Sequence, residues 1–304
     1  MIVKMNYNKK IGDRFIEPGK NLVKKDEIKN SPLNKLKNLR KTLSEMKSIL
    51  VAFSGGVDST FLLKIAQEEL KNEIVAVTAK SEIHPLSELS DAQRIAQKWQ
   101  VRHIIIAGKE LLKKEFVNNS LERCYFCKRE LLKQLKEVAQ KYNLNYVVDG
   151  SNYDDLNDYR PGRRALKEFK IRSPLQEACL TKNDIRILSK KMGLETWGKQ
   201  SNSCLATRIP YGEKITIEKL KKIEQAEEFI QGLGIKQVRV RFYNNLARIE
   251  VKPKDFVILL EDNLREKIIN KFNNLGFIYI TLDLQGYGTD SMNEENKIKK
   301  LRNK

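Results

Sequence analysis

The chain is poor in several residue types, and each shortage closes off a class of protein. Four cysteines in 304 residues are too few to staple a fold of this size. That sets aside a disulfide scaffold and leaves reduced thiols in a cytoplasmic protein as the expectation. The only histidines, His84 and His103, are far apart in sequence, and His103 falls in an apolar run where packing is the expected role. Neither is assigned to chemistry or to a metal. No apolar run approaches the length that crosses a bilayer, so no membrane partner is expected. The opening MIVKMNYNKKIGDRF lacks both a sustained apolar stretch and a small-residue cleavage site, so secretion is not expected either. Acidic residues are scarce beside basic ones, 39 against 58, a formal net charge of +19.

A composition of 40% hydrophobic and 32% charged residues gives a real core under a charged surface and excludes a disordered or fibrous chain. The lysine excess is spread along the chain, with no basic tail. Such a field attracts phosphate-bearing ligands in general, whether ATP, a mononucleotide or RNA.

Periodicity divides the chain in three. Residues 1–47 form a basic leader ending in a helix, whose leucines in LNKLKNLRKTLSEMK share one face. In 48–180, apolar runs at 49–53, 73–79, 101–106 and 145–150 alternate with amphipathic helices, of which 88–99 and 128–141 are two. That alternation means an α/β domain with a parallel sheet covered on both faces. In 181–304 the pattern changes to a smaller α+β domain: helices at 181–192, 216–231 and 254–274, a hairpin turning at Asn244-Asn245, and a last strand at 277–284.

The strongest local signal is Ser54-Gly55-Gly56-Val57-Asp58-Ser59-Thr60, between the first buried strand and its helix. Two glycines let backbone N–H groups approach an anion, the hydroxyls of Ser54, Ser59 and Thr60 add donors, and the helix start adds its unpaired N–H groups. It is neither the G-x-x-x-x-G-K-S/T loop nor the G-x-G-x-x-G fingerprint, and no lysine follows the glycines. Asp58 would repel phosphate unless it is aimed at Mg²⁺ or at a loop amide. The bland reading is a strand-to-helix turn rich in serine and glycine.

SGGVDS resembles the signature of the PP-loop ATP pyrophosphatase superfamily, whose members cleave ATP between the α and β phosphates and pass AMP to a carbonyl oxygen. The likeness narrows with CYFCKRELL at 124–132, DGSNYDDLNDYRPGRRA at 149–165, SNSCLATRIPYG at 201–212, VRVR at 238–241, LARIEV, and LDLQGY…SMN at 282–293. Together these are similar to the ATP-dependent sulfur transferases that make the nickel-pincer nucleotide cofactor of lactate racemase. The match runs from about 30 to 293 and departs at Gly288, where the family has an arginine after the tyrosine. The resemblance implies a PP-loop (adenine nucleotide alpha hydrolase-like) first domain with ligands beyond the carboxyl ends of its strands. Thr78, Ala79, Lys80 and Ser81 would then lie beside adenine and ribose, with Lys80 in reach of a phosphate. Gly150, Ser151 and Asn152 would border the nucleotide, with Asp154 and Asp155 behind them fixing a basic side chain or Mg²⁺. The same segment also reads as a capped helix start.

Cys124 and Cys127 form a C-x-x-C placed before a helix, and Cys204 lies 76 residues beyond. A redox dithiol would follow a thioredoxin-like strand, and structural zinc would want a third and fourth ligand at paired spacing. A cluster accepts three thiolates if one iron stays open. Arg123, Lys128 and Arg129 beside the pair are expected to depress the thiol pKa values. Cys179 reads as a packing residue. In one branch of the family a single cysteine at the position of Cys204, in a C-L-x-x-R motif, gives up its own sulfur. The other branch resembles this chain and is thought to hold a 4Fe-4S cluster on three cysteines, here Cys124, Cys127 and Cys204, with the free iron carrying sulfide. Arg208, Arg239 and Arg241 match the family's arginines and would receive substrate phosphate and carboxylate. Arg239 and Arg241, two apart on one strand, share a face. Glu228 matches a family acidic residue that carries metal or orders an arginine, and it reads equally as solvent-facing.

The resemblance implies sulfur insertion into the carboxylates of a pyridinium-3,5-biscarboxylic acid mononucleotide through acyl adenylates, using ATP, Mg²⁺ and a 4Fe-4S cluster. It implies a sulfide or sulfur donor, other nickel-pincer biosynthesis proteins and a homo-oligomer as partners. The alternatives are sacrificial transfer of the Cys204 sulfur and a cluster-dependent tRNA thiolase. The chain has no further C-x-x-C pair of the kind an RNA-binding zinc ribbon would add, so nucleic acid is not the expected substrate. A non-catalytic metal carrier would need no pyrophosphate loop.

Overall fold

A computed structural model describes residues 31–156, 161–200 and 202–288. Most of the leader and the SMN motif at 291–293 lie outside the described residues.

Helix α1 (Pro32–Met46) starts at Ser31, whose side chain accepts the Asn34 N–H, and has proline at its first position, where no N–H is needed. Its buried Leu39, Leu43 and Met46 join the core beneath the first sheet, so this helix belongs to the first domain. The chain continues through β1 (Ile49–Ala52), α2 (Val57–Leu70), β2 (Ile74–Lys80), α3 (Leu86–Lys98), β3 (Arg102–Ala107), α4 (Lys114–Val117), α5 (Arg123–Lys141) and β4 (Tyr146–Val148). These strands make a parallel sheet in the order β3-β2-β1-β4, with Ile49 paired to Ile74 on one side and to Tyr146 on the other. The order reverses between β1 and β4, so their carboxyl ends flank the crevice where such sheets bind ligands. The loop 54–60 leaves one of these ends and Gly150 follows the other.

Helices α6 (Gly162–Glu168), α7 (Pro174–Glu177) and α8 (Lys182–Lys191) come next. Leu180, Ile185, Leu188 and Leu194 pack in one core with Leu39, Phe61 and Leu62. The division at residue 180 therefore falls inside the first core, and the second core begins at Leu205.

The smaller unit holds α9 (Ile217–Gly232), β5 (Val238–Tyr243), β6 (Leu246–Val251), α10 (Phe256–Leu260), α11 (Asp262–Asn274) and β7 (Tyr279–Leu282). β5 and β6 form the antiparallel hairpin, closed by Tyr243 opposite Leu246 with Asn244 in the left-handed region, and β7 adds in parallel to β6. The single helix expected over 254–274 is broken at Glu261. That residue is extended (φ −62°, ψ 130°), and its carboxylate accepts the N–H groups of Asn263 and Leu264 to start α11. A glutamate cap does here what glycine or proline more often signals.

The two cores are stitched together. Ile83 and Phe116, from the first half of the chain, pack with Leu205, Ile209 and Val240. Across the seam Leu205 N–H donates to Ile83 O (2.8 Å), Ile215 N–H to Val117 O (2.9 Å) and Leu86 N–H to Glu224 (2.9 Å). The second unit is thus held over the carboxyl end of β2, above the crevice. No helix among the described residues is long and apolar enough to cross a membrane.

Candidate active site

A cavity of about 820 Å³ opens at that end of the sheet. Its lining includes Ser54, Gly56, Asp58 and Ser59 of the loop, the three cysteines 124, 127 and 204, and Arg239. Residues spread over nearly 190 positions of sequence therefore share one chamber.

The loop is held open by backbone geometry. Gly55 has φ +68°, and a Cβ there would meet the backbone N of Ala92 on α3 at 3.2 Å, so no other residue fits without strain. Ser54 and Ser59 hydroxyls lie 3.1 Å apart, and no side chain caps the first turn of α2, leaving its N–H groups for a ligand. Gly55 itself and Thr60 do not line the cavity. Gly150 meets this turn from β4, where a Cβ would come within 3.0 Å of the Ser59 nitrogen.

Asp58 is turned neither to a loop amide nor to solvent. One oxygen takes a hydrogen bond from Lys182 Nζ at 2.6 Å, and the other, Oδ1, is buried without a partner among the described residues. Lys182 opens α8 and is fixed by the Thr181/Asp184 capping box, and its own N–H donates to Asp154 (2.8 Å). The loop thus has a lysine after all, supplied from 124 residues downstream. Asp155 accepts the Asn152 N–H (2.9 Å), so the segment is a capped turn and a cavity wall at once. Thr78 lines the cavity, but its hydroxyl donates to Phe53 O (2.6 Å) and contacts His103 Nε2 (2.8 Å), which makes it a brace of the floor. Burial pushes the His103 pKa down. Ser81 is hydrogen-bonded to Glu110, and Lys80 is an exposed part of the lining.

Helix α5 begins at Arg123, so Cys124 and Cys127 sit in its first turns and do not precede it. Three residues apart, they share a helix face. Cys204 is the residue that opens the short turn Leu205–Arg208. The expected lowering of thiol pKa values does not occur at Cys127 or Cys204. Burial pushes Cys127 well up, with Cys204, Glu110 and Cys124 adding to it and Lys128 opposing. Burial also raises Cys204, although Arg123 and Arg208 pull it down. The cost of a buried thiolate outweighs these cations. Cys179 is not packed: it is exposed, in the left-handed region (φ +56°) at the end of α7, between buried Ala178 and Leu180. Among the described residues no group of three or more metal-ligating side chains stands ready to hold a single ion. Three free thiols nevertheless line one cavity, and thiolates are the donors that an iron–sulfur cluster takes.

The three arginines divide. Arg208 forms a bidentate pair with Glu227 (2.8 and 3.0 Å) and donates to Ser203 O, Ser203 Oγ and Thr207 Oγ1, so it holds the Cys204 turn from behind. Arg241 is 1% exposed and bidentate on Glu250 (2.8 and 3.0 Å), and it does not line the cavity. β5 is buried on both faces, which removes the open cationic face expected for Arg239 and Arg241. Glu250 stands opposite Arg239 in the ladder, yet its carboxylate goes diagonally to Arg241 and sideways to Arg248. Arg239 therefore has no carboxylate among the described residues. It stacks on Tyr287 (4.5 Å), donates to Gly288 O (2.7 Å), and keeps a buried Nε with no partner among the described residues. Burial lowers its pKa; Tyr287 opposes the shift, while Arg208 and Arg241 add to it.

The PP-loop domain family matches residues 28–120. A pyridinium-3,5-bisthiocarboxylic acid mononucleotide synthase of Lactiplantibacillus plantarum is 34% identical over 256 residues, 83% of this chain and 91% of that protein. The chain belongs to this synthase family. Uncharacterised proteins of Synechocystis sp. (44% over 260 residues, 86% of this chain and 97% of theirs) and Methanocaldococcus jannaschii (38% over 255 residues, 84% and 96%) are similar along nearly their whole length.

Within this family frame, two functional residues escaped the sequence reading. Lys182 carried a visible T-x-x-D capping signal, but nothing local said that the helix start would face the loop. Glu227, not Glu228, orders Arg208, and it also accepts the Val240 N–H (2.9 Å), whereas Glu228 is exposed. The phase was readable: Glu227 follows Leu220 and Ile223 by seven and four residues and precedes Ile230 by three, all on the buried face of α9.

Proposed function

We propose that this chain converts the carboxylates of a pyridinium-3,5-biscarboxylic acid mononucleotide to thiocarboxylates, activating each with ATP as an acyl adenylate. The observation that carries this reading is the sharing of one cavity by the Asp58 loop, Arg239 and the three thiols. A carboxylate is a poor electrophile because its leaving group would be oxide, so the chemistry needs both an adenylating half and a sulfur half in one chamber.

The amides at the start of α2, with Ser54 and Ser59, hold the polyphosphate, and Lys182 offsets charge that builds on the departing pyrophosphate. Asp58, relieved of Lys182, would hold Mg²⁺, whose charge would help neutralise the polyphosphate. Arg239, which lines the cavity, receives a substrate carboxylate or phosphate. A substrate carboxylate oxygen bonds the α phosphorus as pyrophosphate leaves. Sulfide then bonds the carbonyl carbon, and that oxygen departs with AMP. Cys124, Cys127 and Cys204 would hold a 4Fe-4S cluster, and the chemistry such a cluster would supply is delivery of an exogenous sulfide as the nucleophile.

The competing reading takes the sulfur from Cys204 itself. Two further free thiols in the same cavity favour the cluster. A cytoplasmic setting, a homo-oligomer, a sulfide source and other nickel-pincer biosynthesis proteins complete the proposal. The test is anaerobic protein given ATP, Mg²⁺, sulfide and the pyridinium biscarboxylate: AMP, pyrophosphate and thiocarboxylate should form together. ADP and phosphate as the main products would refute it.

A further inference from the structure

Lys199 lies outside every motif discussed above, on the strap between α8 and Cys204. Its backbone is fixed from two sides. Glu195, at the start of the strap, pairs with Arg94 (2.7 Å) and Lys98 (3.6 Å) of α3, and Arg186 of α8 donates to Trp197 O (3.0 Å) and Lys199 O (2.9 Å). From this anchored point the ammonium donates to Asp91 on α3 (2.8 Å) and to the carbonyl of Gly55 (3.1 Å). Burial acts to raise the Asp91 pKa, but Lys199 and Arg94 outweigh it and hold the carboxyl below its usual range.

The contact with Gly55 matters because of peptide geometry. The Gly55–Gly56 peptide is planar and trans, so its C=O and N–H point to opposite sides. A carbonyl drawn toward Lys199 sends the Gly56 N–H the other way, and Gly56 lines the cavity while Gly55 does not. Among the described residues the acceptor of that N–H is Ser54 Oγ at a long 3.4 Å, which leaves it open to a stronger one. A peptide between two glycines is also the easiest in the loop to turn over. Turned over, it would show a carbonyl oxygen to a polyphosphate.

We infer that Lys199 is a positioning residue that locks the Gly55–Gly56 peptide with its N–H facing the pyrophosphate part of the nucleotide. The inference rests on the reading of the loop as a polyphosphate site. It also makes the strap that carries Cys204 one of the supports of the loop, Cys204 standing five positions after Lys199.

Titration calorimetry on the full chain, with Mg²⁺–pyrophosphate and with adenosine as separate probes, tests it. Lys199→Met should weaken pyrophosphate about tenfold and leave adenosine within twofold, and Lys199→Arg should recover most of the loss. Should Lys199→Met fail to fold, Asp91→Asn keeps the lysine but loosens it, and a smaller loss confined to pyrophosphate is expected. Wild-type pyrophosphate affinity in the variant that folds, or equal losses for both probes, would overturn the inference. A wild-type chain that binds neither probe would instead remove the polyphosphate site, and the inference with it.

Discussion

Lys182 Nζ lies 2.6 Å from one oxygen of Asp58, while the second oxygen of that carboxylate is buried and without a partner among the described residues. The pair joins the first turn of α2 to the first turn of α8 and closes the anion loop with opposite charges. On the proposed function, an incoming polyphosphate with its metal would divide the pair, taking the lysine to phosphate and the aspartate to Mg²⁺.

This division predicts opposite partial effects. Lys182→Met should slow the release of pyrophosphate from ATP in the adenylation step at least tenfold, since a charge-assisted hydrogen bond is worth about 1.5–3 kcal/mol. Asp58→Asn should leave ATP binding without metal near normal and remove the gain that Mg²⁺ brings. Nucleotide binding measured with and without Mg²⁺ separates the two. A Lys182→Met protein with unchanged pyrophosphate release would show the pair to be structural only.

The two arginines of β5 should behave unlike each other. Arg239→Ala removes the one guanidinium of the pair that lines the cavity. Affinity for the pyridinium nucleotide should fall tenfold or more, with ATP affinity nearly unchanged and a stability loss smaller than that at Arg241. Arg241→Ala leaves buried Glu250 short of its bidentate partner and should cost about 3–5 kcal/mol of stability. Chemical unfolding of both variants, read beside substrate titrations, checks this. Equal stability losses would mean that Arg239 is as structural as its neighbour.

Much of this architecture could be read before any coordinates. Strand–helix alternation from 49 to 150 follows from burial on both faces of a parallel sheet, and the Asn244-Asn245 turn followed from the left-handed tolerance of asparagine. What escaped depends on long-range packing. Strand pattern placed Arg239 and Arg241 on one face correctly, but whether that face meets solvent or another layer is a tertiary fact, and here it is buried. Basic neighbours suggested lowered thiol pKa values at the cysteines, yet burial decides at Cys127 and Cys204, and burial is invisible in a short motif. The cluster of Lys182 with Asp58 is of the same kind, a contact made only when α8 docks into the first core.

That docking has a pH signature. Lys35 of α1 pairs with Asp184 of α8 at 2.8 Å, and both side chains are largely buried. Burial alone would raise the Asp184 carboxyl, but Lys35 and the Thr181 cap outweigh it and hold the pKa below the ordinary value. A depressed carboxyl stabilises the fold above its unfolded pKa and loses that contribution as pH falls through the folded value. Wild-type stability should therefore drop below the usual carboxylate range by more than that of Asp184→Asn, which should already be weaker at pH 7 by about 1–2 kcal/mol. Denaturant midpoints taken across that range should converge for the two proteins in acid. A constant gap would assign the loss to the cap geometry and not to the charge.

The thiols give the prediction that separates the two sulfur mechanisms. Cys124 and Cys127 come from α5 and Cys204 from the turn that Arg208 holds, so only the folded cavity brings them together. If all three hold a cluster, replacing any one with alanine should abolish its visible absorption and its iron. Cys179→Ala, at an exposed site that does not line the cavity, should keep both. Protein reconstituted without oxygen and supplied with sulfide should turn over more than once, and Cys204 should remain an intact cysteine by mass. The sacrificial route requires the reverse: one product per chain and activity that survives Cys124→Ala. In it the Cys204 sulfur bonds the acyl carbon as AMP leaves, and its Cβ–S bond then breaks with loss of the α proton. Dehydroalanine remains, and Cys204 is lighter by about 34 Da, the mass of H₂S. Arg208 offers an independent check, because its hold on the turn does not touch Cys124 or Cys127. Glu227→Gln should loosen that hold and lower cluster occupancy, whereas Glu228→Gln, on the exposed face of the same helix, should not. Sacrificial loss of sulfur from functional protein, with no iron requirement, would end the cluster proposal.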